Sequence, residues 1–230
     1  MAASGSLPGA GKAVSRWVFS SSSVLATSDS APIARRAAEA SSTPFFNVQA
    51  NDAVNYGAIG VVIGHEITHG YDDQGRQFDA SGNLKDWWAE ADAKEFEKRA
   101  QKLVDQYNGY EALPGVKVNG RLTLGENLAD LGGTSIAFEA LQRALAKDPS
   151  KRKTLDGFTP EQRFFLSLSQ LWRTNWREAE LRRRLTVDPH SPGQFRGIGP
   201  HVNMTEFFDA FGIKSGDPMW RDPQLRSKVW

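Results

Sequence analysis

The sequence of 230 residues contains no cysteine. Disulfide bridges and thiolate metal sites are therefore excluded, and a metal ion would have to be held by histidine and carboxylate side chains. The net charge is also close to zero, with 28 basic against 27 acidic residues and a formal charge of +1. A chain of this kind has no overall field that would attract nucleic acid or anionic lipid, so a nucleic-acid partner is not expected.

Long apolar runs are missing as well. No stretch approaches the ~18 consecutive apolar residues that a membrane-spanning helix requires. The best N-terminal candidate for a signal peptide, residues 17–26, is interrupted by serines at positions 20–23. The sequence therefore predicts no transmembrane segment in this chain and leaves its compartment undecided.

The composition changes near residue 44. Alanine and serine supply 21 of the first 43 residues, and a segment with so little periodic hydrophobicity cannot offset the entropy of its own ordering. We interpret residues 1–43 as a disordered or low-complexity tail. Residues 44–230 contain aromatic anchors and long stretches of helical period, which predict a folded domain.

The periodicity of residues 44–230 predicts a mainly α-helical fold with a small β element. Asn119 and Gly120 predict a short hairpin or extended pair around them. The segment HSPGQFR, residues 190–196, lies outside any obvious helix. Helices are expected over residues 54–71, 87–107 and 126–145, from residue 160 to residue 176, and over residues 204–212.

The motif HEITH, residues 65–69, carries the strongest chemical signal. Residues four apart on a helix share one face, so His65 and His69 can direct their imidazoles at a common metal ion. Glu66 can reach a water on that ion without occupying a coordination position, as a general base does. The alternative is that these residues are ordinary polar positions on a helix.

A second motif, GENLAD, supplies carboxylates four residues apart. A catalytic zinc needs a third protein ligand, and Glu126 can provide it. Asp130 lies on the same helix face, where it can accept the second ring proton of a ligand histidine and fix that ring's tautomer. The alternative makes both residues favourable acids in the first turns of a helix.

The third element contains His190 and Arg196 in the segment HSPGQFR. Loops with such residues often contribute to sites. A surface histidine beside a Ser-Pro-Gly turn is the alternative. The presence of the other two motifs in the same chain favours the functional interpretation.

Together, the segments VNYGAIGVVIGHEITHGYDDQGRQFD, GENLADLGG and HSPGQFRGIG and the terminal Trp230 resemble the catalytic domain of the neprilysin family of zinc metallopeptidases, also called M13 peptidases. The resemblance runs from about Pro44 to the end of the chain. It implies a mainly α-helical, thermolysin-like zincin domain over residues 44–230 with one zinc ion. The implied zinc ligands agree with those chosen from the residues alone: His65, His69 and Glu126.

The resemblance also implies roles for residues around the metal. Glu66 corresponds to the catalytic base, and Asp130 and Asp72 correspond to acids that orient the ligand histidines. His190 corresponds to a group that stabilises the transition state. Arg196 matches an arginine that binds a substrate carbonyl.

Three apolar residues, Phe45, Val62 and Trp172, fall where the family lines the pocket for the residue after the scissile bond. Core packing explains these three equally well. The implied function is a zinc metalloendopeptidase that cleaves small peptides, preferably on the amino side of bulky apolar residues. Glu66 would activate the zinc-bound water in that reaction.

The chain also departs from the family. Full members are much longer and carry an N-terminal helical domain that closes over the active site, and the family's Asn-Ala-Phe/Tyr segment has no match before Pro44. We therefore expect a truncated chain without that lid, and the missing domain is a candidate partner. Bacterial members are commonly periplasmic, exported or membrane-anchored, but no convincing signal peptide supports such a location here.

Three other functions compete with an active peptidase. The first is a truncated, catalytically compromised zinc-binding fragment, which the truncation favours and the intact metal and acid–base residues disfavour. The second is a non-enzymatic interaction protein in which HEITH is incidental. The third is a non-haem iron oxygenase with two histidines and one carboxylate on iron, a site that does not call for Glu66 beside the first ligand.

Overall fold

Helices dominate residues 44–229, which are the residues that the computed structural model describes. Two short strands form an antiparallel hairpin. The mainly α-helical fold with a small β element is thus confirmed, while the predicted tail, residues 1–43, lies outside the described residues. In chain order the elements are α1 Asp52–Asn55, a π-helical segment Tyr56–Gly60, α2 Val61–Thr68, a 3-10 segment His69–Tyr71, α3 Glu90–Asn108, β1 Glu111–Leu113, β2 Val116–Lys117, α4 Leu124–Lys147, α5 Pro160–Leu171, α6 Glu178–Val187, α7 Gly193–Ile198 and α8 Thr205–Phe211.

Local signals set the starts of α1 and α5. The side chain of Asn51 accepts a hydrogen bond from the backbone N–H of Val54 at 3.3 Å. Thr159 and Gln162 form a reciprocal capping box around Pro160, which occupies the first turn of α5. These caps satisfy N–H groups that have no partner inside the helix. Both starts are therefore encoded by residues within a few positions of the helix.

Buried residues surround most of the circumference of helix α4, which shows that this helix runs through the middle of the core. Its Phe138 stacks on Phe165 of α5 with ring centroids 5.2 Å apart. Leu103 and Tyr107 of α3 are fully buried in the same core. Each such side chain contributes roughly 1.5–3 kcal/mol by leaving water. Neither α4 nor any other helix in residues 44–229 is long and apolar enough to cross a membrane.

Two glycines allow α2 and α4 to touch backbone to backbone. A Cβ on Gly133 would lie 2.5 Å from the backbone nitrogen of His65 and 2.6 Å from the carbonyl oxygen of Val61. A Cβ on Gly64 would lie 2.8 Å from the Cα of Gly133. No larger residue fits at these distances unless the backbones separate. The contact therefore holds the helix of HEITH against the helix of GENLAD.

The predicted hairpin around Asn119 and Gly120 is wrong in position. The turn lies earlier, at Gly115, whose φ of +72° suits glycine. Gly120 instead packs against α3, where a Cβ would meet the carbonyl oxygen of Val104 at 2.3 Å. The side chain of Asn119 accepts hydrogen bonds from the two N–H groups that lead toward α4.

Two helix boundaries also differ from expectation. Helix α5 ends at Leu171 and does not continue to residue 176. The predicted loop 190–196 is helical from Gly193 onward, so Arg196 lies on α7. Helix α6 was not identified from the sequence; it is rich in charged residues and has no buried residue among those described. Pairs such as Arg182 with Glu178, four residues apart, support it instead.

His201 gives the fold a dependence on pH. The side chain is 1% exposed, packs against the rings of Phe165 and Phe207, and has a buried Nε2 with no hydrogen-bond partner. Burial lowers the pKa of His201 from its usual 6.5 to about 3. The unfolded chain therefore binds this proton more readily, so stability falls as the pH drops below about 6.5.

We expect His201→Phe to weaken this pH dependence, because phenylalanine cannot take up the proton. Between pH 7 and pH 5 the wild-type free energy of unfolding should fall by about 2 kcal/mol more than that of the variant. Urea unfolding of both proteins at the two pH values measures the difference. Equal losses in both proteins would show that His201 does not carry the effect.

Candidate metal centre

Three side chains from α2, the following 3-10 segment and α4 converge on one point. The Nε2 atoms of His65 and His69 are 3.0 Å apart. Glu126 places Oε2 at 3.2 Å from Nε2 of His65 and Oε1 at 3.7 Å from Nε2 of His69. These three residues form the group in residues 44–229 whose ligand atoms are close enough together to hold a metal ion.

The spacing of these ligand atoms fits zinc. Ligand atoms that bind zinc at about 2.0–2.1 Å in a tetrahedron lie about 3.3 Å from one another. The three observed separations of 3.0, 3.2 and 3.7 Å lie around that value, the last two measured to the two different oxygens of Glu126. Two imidazoles and one carboxylate are also the kind of donor set that catalytic zinc sites use, with the fourth position left open.

Each of the two candidate ligand histidines has a carboxylate at its other ring nitrogen. Nδ1 of His65 lies 2.9 Å from Asp130, and Nδ1 of His69 lies 2.7 Å from Asp72. Asp72 is itself held by the backbone N–H groups of Gln74 and Gly75. When both Nδ1 atoms donate to these carboxylates, both Nε2 atoms present lone pairs to the same point. Such an arrangement suits a shared cation.

The charges around this point also suit a cation. Burial tends to raise the pKa of Asp72 and Glu126, but their histidine partners outweigh it and lower both values. Burial lowers the pKa of His65, yet its hydrogen bonds with Asp130 and Glu126 raise it to about 9. The carboxylates are therefore charged at neutral pH, and a divalent cation can replace the proton that they favour on the imidazole.

Arg196 lies close to the candidate ligands and pairs with Asp130. Its guanidinium makes two hydrogen bonds to that carboxylate, at 2.7 and 2.8 Å, and stacks 3.7 Å from the ring of Trp172. Burial would raise the pKa of Asp130, but Arg196 holds it well below its usual range. The guanidinium is buried and lies 3.8 Å from Glu126. Its predicted contact with a substrate carbonyl stays a prediction.

Glu66 lies one residue after His65 and lines a cavity of about 200 Å³ beside the ligand atoms. The predicted pocket residues Phe45, Val62 and Trp172 line the same cavity. They also pack against the hydrophobic core, so the pocket and packing interpretations both describe them. The structure thus brings the proposed base and the apolar wall together.

His190 approaches from the loop between α6 and α7. Its Nε2 lies 3.2 Å from Oε2 of Glu126, and its side chain is about half exposed. Nδ1 and the backbone N–H of His190 both contact Asp188, at 2.8 and 2.9 Å. The sequence analysis missed Asp188, although an acid two residues before a candidate histidine was a usable signal.

The chain matches known proteins over most of its length. Residues 36–227 match the profile of Peptidase family M13. Neprilysin-2 of Drosophila melanogaster is 43% identical over 189 residues, which are 81% of this chain and 24% of that protein. Endothelin-converting enzyme 1 of Rattus norvegicus is 42% identical over the same proportions of the two chains.

Solved structures agree with these matches. The zinc metalloprotease ZMP1 of Mycobacterium tuberculosis, solved with an inhibitor, has a TM-score of 0.79 at 47% identity over 82% of this chain and 29% of that one. PepO of Lactobacillus rhamnosis has a TM-score of 0.71 at 32% identity over 80% of this chain and 28% of that one. The chain spans about a quarter of the length of the curated relatives it matches. Since the family match covers residues 36–227, well over half of the sequence, the chain belongs to peptidase family M13.

Proposed function

We propose that this chain carries the catalytic site of a zinc metalloendopeptidase that hydrolyses small peptides. The observation that supports this best is the convergence of His65, His69 and Glu126 at separations suited to zinc, with Glu66 in the adjoining cavity. The similar proteins are named as a neprilysin, an endothelin-converting enzyme and a zinc metalloprotease. Because the chain covers only 24% of the first two, their activity is attributed to it as a proposal.

The side chains at the candidate site are suited to the acid–base steps of peptide hydrolysis. Zinc held by His65, His69 and Glu126 would lower the pKa of a coordinated water to about 7 and polarise the scissile carbonyl. Glu66 accepts the proton that water releases when it attacks, and later donates that proton to the leaving amine. A carboxylate in this cavity can perform both transfers because the same oxygen serves first as base and then as acid.

His190 is placed to stabilise the negative charge that develops on the substrate oxygen. In its protonated form, Nδ1 donates to Asp188, and Nε2, which lies 3.2 Å from Oε2 of Glu126, carries the second proton that can be donated to that oxygen. Burial raises the pKa of Asp188, but the N–H and ring of His190 outweigh it and keep the acid charged. Loss of one such donor typically costs about a hundred- to a thousandfold in rate.

The substrate preference follows from the cavity beside Glu66. Phe45, Val62 and Trp172 give it an apolar wall, and its volume of about 200 Å³ admits one large side chain. We propose that this cavity takes the residue after the scissile bond. Burial of a leucine or phenylalanine side chain there would contribute roughly 1.5–3 kcal/mol, or about ten- to a hundredfold in kcat/KM over glycine.

We expect zinc-loaded protein to cleave short peptides with leucine or phenylalanine after the scissile bond, and to lose this activity in a chelator and regain it with added zinc. Mass spectrometry of the products locates the cleaved bond, and metal analysis should give one zinc per chain. One zinc without cleavage would instead identify a zinc-binding fragment. Neither zinc nor a change in stability with chelator would identify an interaction protein.

A further inference from the structure

A second contact joins the His190 loop to α4, directly beside the contact between His190 and Glu126. Ser191 Oγ donates to Asn127 Oδ1 at 2.8 Å. Both residues follow the pair His190 and Glu126 by one position. Their side chains are almost completely buried, at 4% exposure for Ser191 and 1% for Asn127.

The amide of Asn127 is held from its other end as well. Its Nδ2 donates to Thr123 Oγ1 at 2.9 Å, and that hydroxyl donates to the carbonyl oxygen of Asn119 at 3.1 Å. Each of these hydrogen bonds pairs a donor with an acceptor. Together they orient the amide of Asn127 with its oxygen toward Ser191. A satisfied buried network of this kind is rigid and specific.

Besides the contact between His190 and Glu126 itself, two other bonds lie near His190, and neither ties the loop backbone to α4 beside that residue. Asp188 belongs to the same loop, so its bond to His190 sets the ring relative to that loop and not relative to α4. The bond between Arg196 and Asp130 anchors α7 to α4, six residues after His190. Ser191 therefore provides the anchoring bond nearest to His190.

We propose that Ser191 and Asn127 are positioning residues that set the distance between His190 and Glu126. The consequence for peptide hydrolysis rests on the proposed function, whereas the consequence for the His190 ring does not. A displacement of about 1 Å in a catalytic group can cost about a hundredfold in rate. The ligand triad and its carboxylates make no bond to Ser191, so zinc binding should not depend on it.

The test compares Ser191→Ala, Ser191→Thr and a control, Ser169→Ala. Like Ser191, Ser169 donates its hydroxyl to a neighbouring helix. Its acceptor is the carbonyl oxygen of Gly197 on α7 at 3.3 Å, seven residues after His190 in the chain. We expect Ser191→Ala to lower kcat about ten- to a hundredfold with KM within about twofold. Ser191→Thr should restore most of kcat, and the control should leave it unchanged.

A second readout needs no turnover. The chain has 4 histidines, so the ring signals of histidine-labelled, zinc-loaded protein can be assigned, with His190→Gln marking that of His190. Ser191→Ala should shift or broaden the His190 signal, and the control should not. An unchanged His190 signal in Ser191→Ala, or an unchanged kcat in an active protein, would overturn the proposal. A wild type that binds zinc without cleaving peptides would refute the proposed function and leave this readout decisive.

Discussion

Glu66→Gln is expected to lower kcat for peptide hydrolysis at least about a hundredfold while the protein keeps one zinc ion. Glutamine matches glutamate in shape, but its neutral amide cannot accept the proton from the attacking water. Glu66 lies outside the group of ligand atoms formed by His65, His69 and Glu126. The substitution should therefore separate proton transfer from metal binding.

Kinetics on the preferred peptide and metal analysis of the same samples measure the two effects. Glu139→Gln is a matched control, because Glu139 lies on α4 with an exposed side chain paired to Arg143. The control should retain wild-type kcat and zinc content. Cleavage by Glu66→Gln within a few-fold of wild type would rule out Glu66 as the base.

Gly133→Ala should weaken zinc binding by at least about a hundredfold and destabilise the fold by 1–3 kcal/mol or more, on the order found for overpacked cores. The new methyl group would meet backbone atoms of His65 and Val61 at 2.5 and 2.6 Å, and a backbone atom cannot rotate away. Helices α2 and α4 must then separate. That movement carries His65 and His69 away from Glu126.

Isothermal titration with zinc and urea unfolding of the metal-free protein measure the two effects separately. Gly70→Ala is the control, because it adds a methyl group next to His69 where nothing lies within 4 Å. The control should bind zinc as the wild type does. Wild-type zinc affinity in Gly133→Ala would show that the helix contact does not set the ligand geometry.

The spacing of HEITH was sufficient to predict that His65 and His69 face one point, because helical periodicity is a local property. The need of a catalytic zinc for a third protein ligand pointed to Glu126 in GENLAD, the segment HSPGQFR offered His190 as a candidate, and the family resemblance agreed with the ligand choice and implied a role for His190. In the structure, the side chain of each of these four residues has an atom within 3.0–3.7 Å of another member of the group. Their individual roles remain predictions.

Two of the differences between prediction and structure have separate physical causes. Asn119 and Gly120 have the composition of a hairpin turn, yet Gly120 is required where the chain passes close to Val104 of α3. Helix α6 was missed because Glu–Arg pairs support it and none of its described residues is buried. A composition rule cannot distinguish a glycine needed for a turn from one needed for a close approach.

The amino-acid sequence alone was enough to predict the helical class, the candidate ligands and the proposed base, since these depend on side-chain chemistry and on spacing over a few residues. The separation between Glu126 and the two imidazoles, the pairing of Arg196 with Asp130 and the anchoring of His190 through Ser191 emerged only from packing. Each joins segments more than 55 residues apart. Such distances follow from how closely α2, α4 and α7 can approach, and at Gly64 and Gly133 that approach is limited by the size of a single hydrogen atom.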